Sequence, residues 1–315
     1  MVNSLPLMVA ILGPTASGKT ALALEIAKEI PCEIISMDSA LVYKDMDIGT
    51  AKPSQAERAA VPHHLIDIID PTESYSAAHF CKEVIKLNLD IIHRNKLPLL
   101  VGGTMMYFNA LTQGLDDLPT ANINIRQEIE AEIEKMGLHY MHAQLEKLDP
   151  HSAARIKPND SQRISRALEI IRLTGKPMSE LLATRAKPTL PFQLLSFALE
   201  PTNRAQLHER IAARFDLMLK ENERNIIQEL QDLRSRYLLH ANLPSMRAVG
   251  YRQTWEYLEG HYDKTTLREK GIIATRQLAK RQLTWLRAMP ERIVLDCFGQ
   301  NNLKTILHEI KLKLI

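Results

Sequence analysis

Apolar residues in this chain fall into two rhythms. Short runs of branched aliphatics stand at Leu7–Leu12, Glu33–Met37, Leu65–Ile69, Leu97–Val101, Phe192–Leu199 and Arg292–Leu295. Runs of this length and type predict strands. Between the early ones lie helical stretches. Ala21–Ile30 has helical composition and stops at Pro31, and Ser76–Asn95 places Ala78, Cys81, Val84, Ile85 and Ile92 near one stripe. Strands alternating with helices predict βαβ units and a parallel sheet. Runs that are apolar at successive positions predict a sheet covered on both faces.

The pattern changes near Gly114. From about Asn122 to Ala186 it is helical, with candidates at Ile125–Met136, Tyr140–Leu148, Ser161–Thr174 and Ser179–Thr184. Pro150, Pro158, Pro177 and Pro188 punctuate them. Strand composition then returns at 192–199, followed by long helical stretches at Arg204–Glu221, Glu223–Ser235 and Thr266–Arg287. The expected division is an α/β core from residues 1–115 and 190–315, with a helical insertion at 116–189. No internal repeat or low-complexity segment is visible.

Composition narrows the class only a little. The chain has 315 residues, 45% hydrophobic and 24% charged, enough to bury a proper core. A net charge of +3 does not announce a nucleic-acid partner, so any such partner must be argued from local patches. Three scattered cysteines, Cys32, Cys81 and Cys297, read as reduced structural thiols in a cytoplasmic protein. The apolar N-terminal run has no basic segment before it and leads directly into a glycine-rich turn, so it reads as a first strand and not a signal peptide. No apolar stretch reaches the length of roughly 18–20 residues that a transmembrane helix needs.

The glycine-rich turn carries the first chemistry. Residues 13–20 read GPTASGKT, the pattern GxxxxGK[ST], between a strand and a helix. In that context the backbone amides of Gly13, Pro14, Thr15, Ala16, Ser17 and Gly18 (all but proline's) and the helix N-terminus favour an anion. Lys19 neutralises it, and the Thr20 hydroxyl suits Mg²⁺. Asp38 follows the second strand, where parallel sheets place ligands. It fits a metal partner or base, and equally a turn or helix cap. GGT at 102–104 ends the strand LPLLV without the acid that nucleotide hydrolases often place there. Its glycines allow close backbone approach, and Thr104 adds a hydroxyl.

Basic residues gather in four places. Asp160 or Ser161 can cap a helix bearing Arg163 and Arg166 beside Gln162. From Lys270 to Met289 there are five Lys/Arg and no acid, a stripe of the kind that tracks a phosphate backbone. Trp285 there reads first as a core residue, with stacking on a base as the alternative. Arg247 and Arg252 flank a glycine turn, and Arg210 and Arg214 stand one helical turn apart, toward phosphate or solvent. On pattern alone a nucleotide-dependent small-molecule kinase leads, with ATP in the loop. A non-catalytic RNA-binding module is the other alternative.

Taken together, six stretches resemble the bacterial tRNA dimethylallyltransferases: GPTASGKT (13–20), MDSALVYKDMDIGTAKP (37–53), LLVGGTMMYF (99–108), PNDSQRISRALE (158–169), VGYRQ (249–253) and TRQLAKRQLTWLR (275–287). They stand in family order over nearly the whole chain. The resemblance implies a P-loop NTPase-like parallel sheet flanked by helices, with a helical insertion and a channel through the core. It implies transfer of a dimethylallyl group from dimethylallyl diphosphate to N6 of the adenosine just 3′ of the anticodon in tRNA. The loop at 13–20 would then hold that diphosphate and not ATP. Mg²⁺ is the implied cofactor, and a cytoplasmic monomer the implied form.

The resemblance also assigns roles. Asp38 is the implied base, Thr20 the Mg²⁺ ligand, Lys19 and Arg214 the stabilisers of leaving diphosphate, and Thr104 a residue beside the channel. It implies RNA contacts at Asp38, Ser39, Ala40 and Leu41, at Thr104 and Arg126, and at Gln162, Arg163, Ile164, Ser165 and Arg166. It extends them to Arg247, Ala248, Val249, Gly250, Tyr251 and Arg252, and then to Thr275, Arg276, Gln277, Leu278, Ala279, Lys280, Arg281 and Gln282. Two positions depart from the usual pattern. Met105 stands for glycine, which narrows the implied channel, and Lys157 stands for histidine. The zinc-finger extension of eukaryotic members has no counterpart here.

Overall fold

A computed structural model describes residues 5–114, 118–119, 122–183, 188–221, 223–289 and 291–314. The chain forms two compact units, Met1–Phe108 with Leu190–Ile315, and Asn109–Thr189. The expected boundary at 115/116 and the expected helix end at Thr184 lie outside the described residues.

The first segment runs β1 (Leu7–Leu12), α1 (Lys19–Glu29), β2 (Cys32–Met37), α2 (Gln55–Ala60), β3 (His63–His64), α3 (Ala77–His93), β4 (Leu97–Gly102) and α4 (Met105–Gln113). The helical unit holds α5 (Ile123–Met136), α6 (Leu138–Leu148), α7 (Pro150–Arg155), α8 (Ser161–Thr174) and α9 (Met178–Ala183). The chain then adds β5 (Gln193–Glu200), α10 (Arg204–Met218), α11 (Ile226–Arg236), α12 (Tyr251–Leu258), α13 (Lys264–Arg287), β6 (Arg292–Asp296) and α14 (Asn302–Leu314).

All six strands of the core unit pair in parallel, in the order β3-β2-β4-β1-β5-β6. Every residue of β1, β2 and β4 is buried, as a sheet covered on both faces requires. One face packs Val9, Ile11, Leu99 and Phe197 against Leu22, Ala23 and Ile26 of α1 and Ile306 and Ile310 of α14. Each of the larger of these side chains contributes roughly 1.5–3 kcal/mol by leaving water. Register matters most for function. Leu12 and Met37 both pair with Gly102, so β1, β2 and β4 end level with one another. Gly13, Asp38 and Gly103 therefore leave the sheet side by side.

The strand expected at Leu65–Ile69 is not formed. The strand is His63–His64, and only Ile69 bridges, to Tyr43. Leu65 and Asp67 adopt φ of 62° and 56°, which no extended run tolerates. Several helices escape a periodicity reading. The six-residue α2 and α7 are shorter than a helical window. Helix α4 buries Met105, Tyr107, Phe108, Ala110 and Leu111, which leaves little polar stripe to mark a face.

The helical unit packs Ile129, Met141, Leu145, Ala153, Ile156, Ile164, Ala167 and Leu168 into its own core. Asp160 caps α8 by accepting from the Arg163 amide at 3.2 Å. Asp149, almost fully buried, caps α7 through Ser152 N and also accepts from Ser179 N and Oγ. These hydrogen bonds hold its carboxyl down at about 2 although burial opposes it. Among the described residues, no helix is long and apolar enough to cross a membrane. Cys32, Cys81 and Cys297 are free thiols, and burial pushes each up to about 11.

Candidate active site

The level strand ends open onto a cavity of about 480 Å³ within the core unit. The phosphate loop contributes Thr15, Lys19 and Thr20, and the turn after β2 contributes Asp38, Ser39, Ala40 and Leu41. Gly102, Gly103, Thr104, Met105 and Met106 enter from the end of β4 and the start of α4. Arg214 comes from α10, Arg247 to Gly250 from the loop before α12, and Thr275, Leu278, Arg281, Gln282 and Trp285 from α13. Gly49, Thr50 and Ala51 complete the wall beside Arg214.

Local hydrogen bonds fix the polar groups. Lys19 Nζ donates to Pro14 O at 2.6 Å, which folds the side chain back along its own loop. Asp38 Oδ1 accepts from Ala40 N at 2.8 Å, an Asx turn. Asp38 thus fills the capping role that its sequence context allows, while it also lines the cavity. Thr104 Oγ1 accepts from Ser39 N at 3.0 Å, and Thr104 N donates to Met37 O at 3.2 Å. The two hydrogen bonds tie the β4 turn to the turn that carries Asp38. Arg214 Nη2 donates to Thr50 O at 3.0 Å.

Burial shapes the charges. Lys19 is lowered to about 8, chiefly by burial, with Asp38 opposing the shift and Arg214 adding to it. Arg214 is also lowered by burial, and Asp38 again pulls the other way. Two partly buried cations stand near one carboxylate. Such a cavity favours a bound anion.

Two buried acids that periodicity did not single out organise this wall and the helical unit. Glu229 of α11 is fully buried and accepts from three successive amides, Asp47 N at 2.9 Å, Ile48 N at 2.7 Å and Gly49 N at 3.1 Å. The Tyr251 hydroxyl also donates to it. Gly49 is needed there, because a Cβ would fall 2.5 Å from the Tyr251 ring. Glu169 of α8 is likewise fully buried in the helical unit. It accepts from Arg126 Nε at 3.0 Å, Arg166 Nη1 at 2.7 Å and Asn122 N at 2.8 Å. Glu229 borders the apolar stripe Ile226–Leu230–Leu233, and an acid there needs buried partners, which was a signal in the sequence. Glu169 stands three residues after Arg166, away from the stripe Ile164–Leu168–Ile171, and no such signal marks it.

The expected RNA contacts are placed unevenly. Arg247, Ala248, Val249, Gly250, Thr275, Leu278, Arg281 and Gln282 line the cavity. Tyr251 and Ile164 are fully buried and Ala279 nearly so. Arg252 pairs with Glu256 at 3.2 Å, and Arg163 pairs with Asp160. Gln277 and Lys280 are exposed on α13, whereas Arg276 is half-buried and its Nε has no partner among the described residues. Arg126 and Gln162 to Arg166 belong to the helical unit. Trp285, expected in the core, is 45% exposed and lines the cavity. It lies three and seven residues beyond Gln282 and Leu278, on the helix face turned to the cavity. Arg210 stacks over the Phe298 ring at 4.5 Å, while Arg214 alone of that pair lines the cavity.

Residues 41–289 match the family model described as IPP transferase. A tRNA dimethylallyltransferase of Herminiimonas arsenicoxydans is 60% identical over 305 residues, covering 97% of this chain and 95% of the relative. Among solved structures, a full-length tRNA isopentenylpyrophosphate transferase from Bacillus halodurans is similar at a TM-score of 0.69 and 37% identity, covering 99% of this chain and 97% of that one. A eukaryotic dimethylallyltransferase acting on tRNA is similar at a TM-score of 0.79 and 28% identity, covering 98% of this chain and 78% of that one. With the family model matching most of its length and a relative this close covered almost end to end, the chain belongs to the IPP transferase family.

Proposed function

We propose that this protein transfers the dimethylallyl group of dimethylallyl diphosphate to N6 of the adenosine immediately 3′ of the anticodon in tRNA and releases diphosphate. The observation that carries the proposal is one cavity lined both by Thr15, Lys19 and Thr20 of the phosphate loop and by Asp38 and Thr104. Family membership supports the reaction class.

The chemistry suits these groups. Adenine N6 is a weak nucleophile because its lone pair is delocalised into the ring. Carbon one of the allyl diphosphate is a good electrophile because positive charge there is delocalised. As N6 bonds to carbon one, the carbon–oxygen bond breaks and its electron pair leaves with the diphosphate. Lys19 and Arg214 offset that charge, and their burial strengthens the effect. The N6 proton passes to the Asp38 carboxylate. The adenosine must leave its stack to enter, at a cost of a few kcal/mol. Exposed Lys280 and Arg281 and the stacking face of Trp285 offset that cost.

Among the described residues no cluster of three His, Cys, Asp or Glu is placed to hold a metal. Thr20 lines the cavity beside Lys19, and its hydroxyl is a hard oxygen donor of the kind Mg²⁺ takes, so Thr20 would hold the ion. Mg²⁺ held there would neutralise diphosphate charge. A cytoplasmic monomer fits the proposal. The test is digestion of a tRNA transcript after incubation with the protein, Mg²⁺ and dimethylallyl diphosphate. N6-dimethylallyladenosine at the position 3′ of the anticodon supports the function, and unmodified adenosine there overturns it.

A further inference from the structure

Gln282 stands among the RNA contacts expected from the sequence, yet both polar atoms of its side chain are engaged inside the protein. Its Oε1 accepts from Thr15 N of the phosphate loop at 2.9 Å. Its Nε2 donates to Gly103 O of the β4 turn at 2.8 Å. Thr104, the next residue, anchors Ser39 beside Asp38. One side chain of α13 thus spans from the loop assigned to diphosphate to the turn that supports the proposed base.

The contact is built for glutamine. A Cβ on Gly103 would lie 2.4 Å from Gln282 Nε2 and 2.9 Å from Gly13 O, so the turn, the loop and the helix converge at one point. Only an amide offers an acceptor to Thr15 and a donor to Gly103 from the same position. Asparagine is a methylene shorter, glutamate lacks the donor, and methionine fills the volume with neither bond. The same helix face carries Thr275, Leu278 and Trp285 into the cavity.

We propose that Gln282 is a positioning residue that sets the separation between the diphosphate-holding loop and the turn that holds Asp38. The proposal rests on the transfer reaction above. There, carbon one and N6 must meet at about 3–3.5 Å, and a misplacement of about 1 Å costs about 100-fold in rate.

The test compares wild type, Gln282→Met and Gly103→Ala in single-turnover transfer from dimethylallyl diphosphate to an anticodon stem-loop, with both substrates saturating. Stem-loop Kd and thermal midpoint are measured alongside. The expected result is a fall of about 100-fold in transfer rate for Gln282→Met, with the stem-loop Kd unchanged. Gly103→Ala, which displaces the amide, gives the same loss, and the double variant is no worse than either single one. A Gln282→Met protein whose rate recovers at saturating stem-loop, with only Kd raised, overturns the proposal and leaves Gln282 an RNA contact. A lowered midpoint with an undiminished rate in the folded fraction overturns it as well. Failure of the wild type to transfer strikes the proposed function itself, independently of the variants.

Discussion

Thr104 Oγ1 lies 3.0 Å from the backbone nitrogen of Ser39, the residue that follows Asp38. The hydroxyl is a side-chain anchor for a turn whose carboxylate also closes an Asx turn on Ala40. Thr104→Val keeps the shape and removes the acceptor. We expect a stability loss of about 1 kcal/mol and a fall in transfer rate well beyond what that loss explains. Thr104→Ser, which restores the oxygen, recovers most of the rate. Equal rates for the valine and serine variants would show that the hydroxyl does not position Asp38.

Glu229 acts on the loop at residues 47–49. Its carboxylate holds the amides of Asp47, Ile48 and Gly49, and the same loop presents Thr50 O to Arg214. Glu229→Gln turns an amide group toward backbone donors that need an acceptor. Unfolding by urea should show a loss of about 3 kcal/mol. Diphosphate affinity should weaken too, although Glu229 lines no part of the cavity. Unchanged diphosphate affinity would separate that loop from Arg214.

Lys19 sets a pH dependence with a definite sign. Its folded value of about 8 lies below the ordinary 10.5, so the folded state carries a penalty for the charged form. That penalty, about 3 kcal/mol, is complete below pH 8 and fades as pH rises toward 10.5. Between those values the unfolded chain binds more protons, so stability rises with pH there. Lys19→Met removes the penalty. At pH 7 it should be more stable than wild type while losing diphosphate binding, and the stability gap should close between pH 8 and 10.5. A destabilised methionine variant at pH 7 would contradict the burial argument.

Lys280 and Arg281 are exposed on α13, and Arg281 borders the cavity. Reversing both charges should weaken tRNA binding and reduce the slope of log K against log salt by about 1 for each phosphate no longer neutralised. An unchanged slope would put the RNA on another face.

Much of this arrangement is legible in the order of the residues. The strands at 7–12, 97–101 and 192–199 follow from apolar runs of strand length, and GPTASGKT marks the loop between the first strand and helix. The failures are local and physical. LIDII has strand composition, but Leu65 and Asp67 turn left-handed to bring Asp67 to Lys52 and Arg58. Trp285 is expected inside because tryptophan buries well, and it stands instead 45% exposed in the cavity lining, on the helix face it shares with Leu278 and Gln282. Gln282 is expected among the RNA contacts, since no periodicity reveals that residues 15 and 103 converge on it.

The central claim is that the loop at 13–20 serves an allyl diphosphate and that Asp38 serves as the base. The most direct measurement is single-turnover transfer of label from dimethylallyl diphosphate to an anticodon stem-loop with ATP in excess, for wild type beside Asp38→Ala. The expected result is label on adenine N6 in the wild type, a rate that ATP does not slow, and an alanine variant that binds the stem-loop but does not transfer. Inhibition by ATP, with ATP hydrolysed and no label in the RNA, would return the loop to a nucleotide, and wild-type transfer by Asp38→Ala would remove the base.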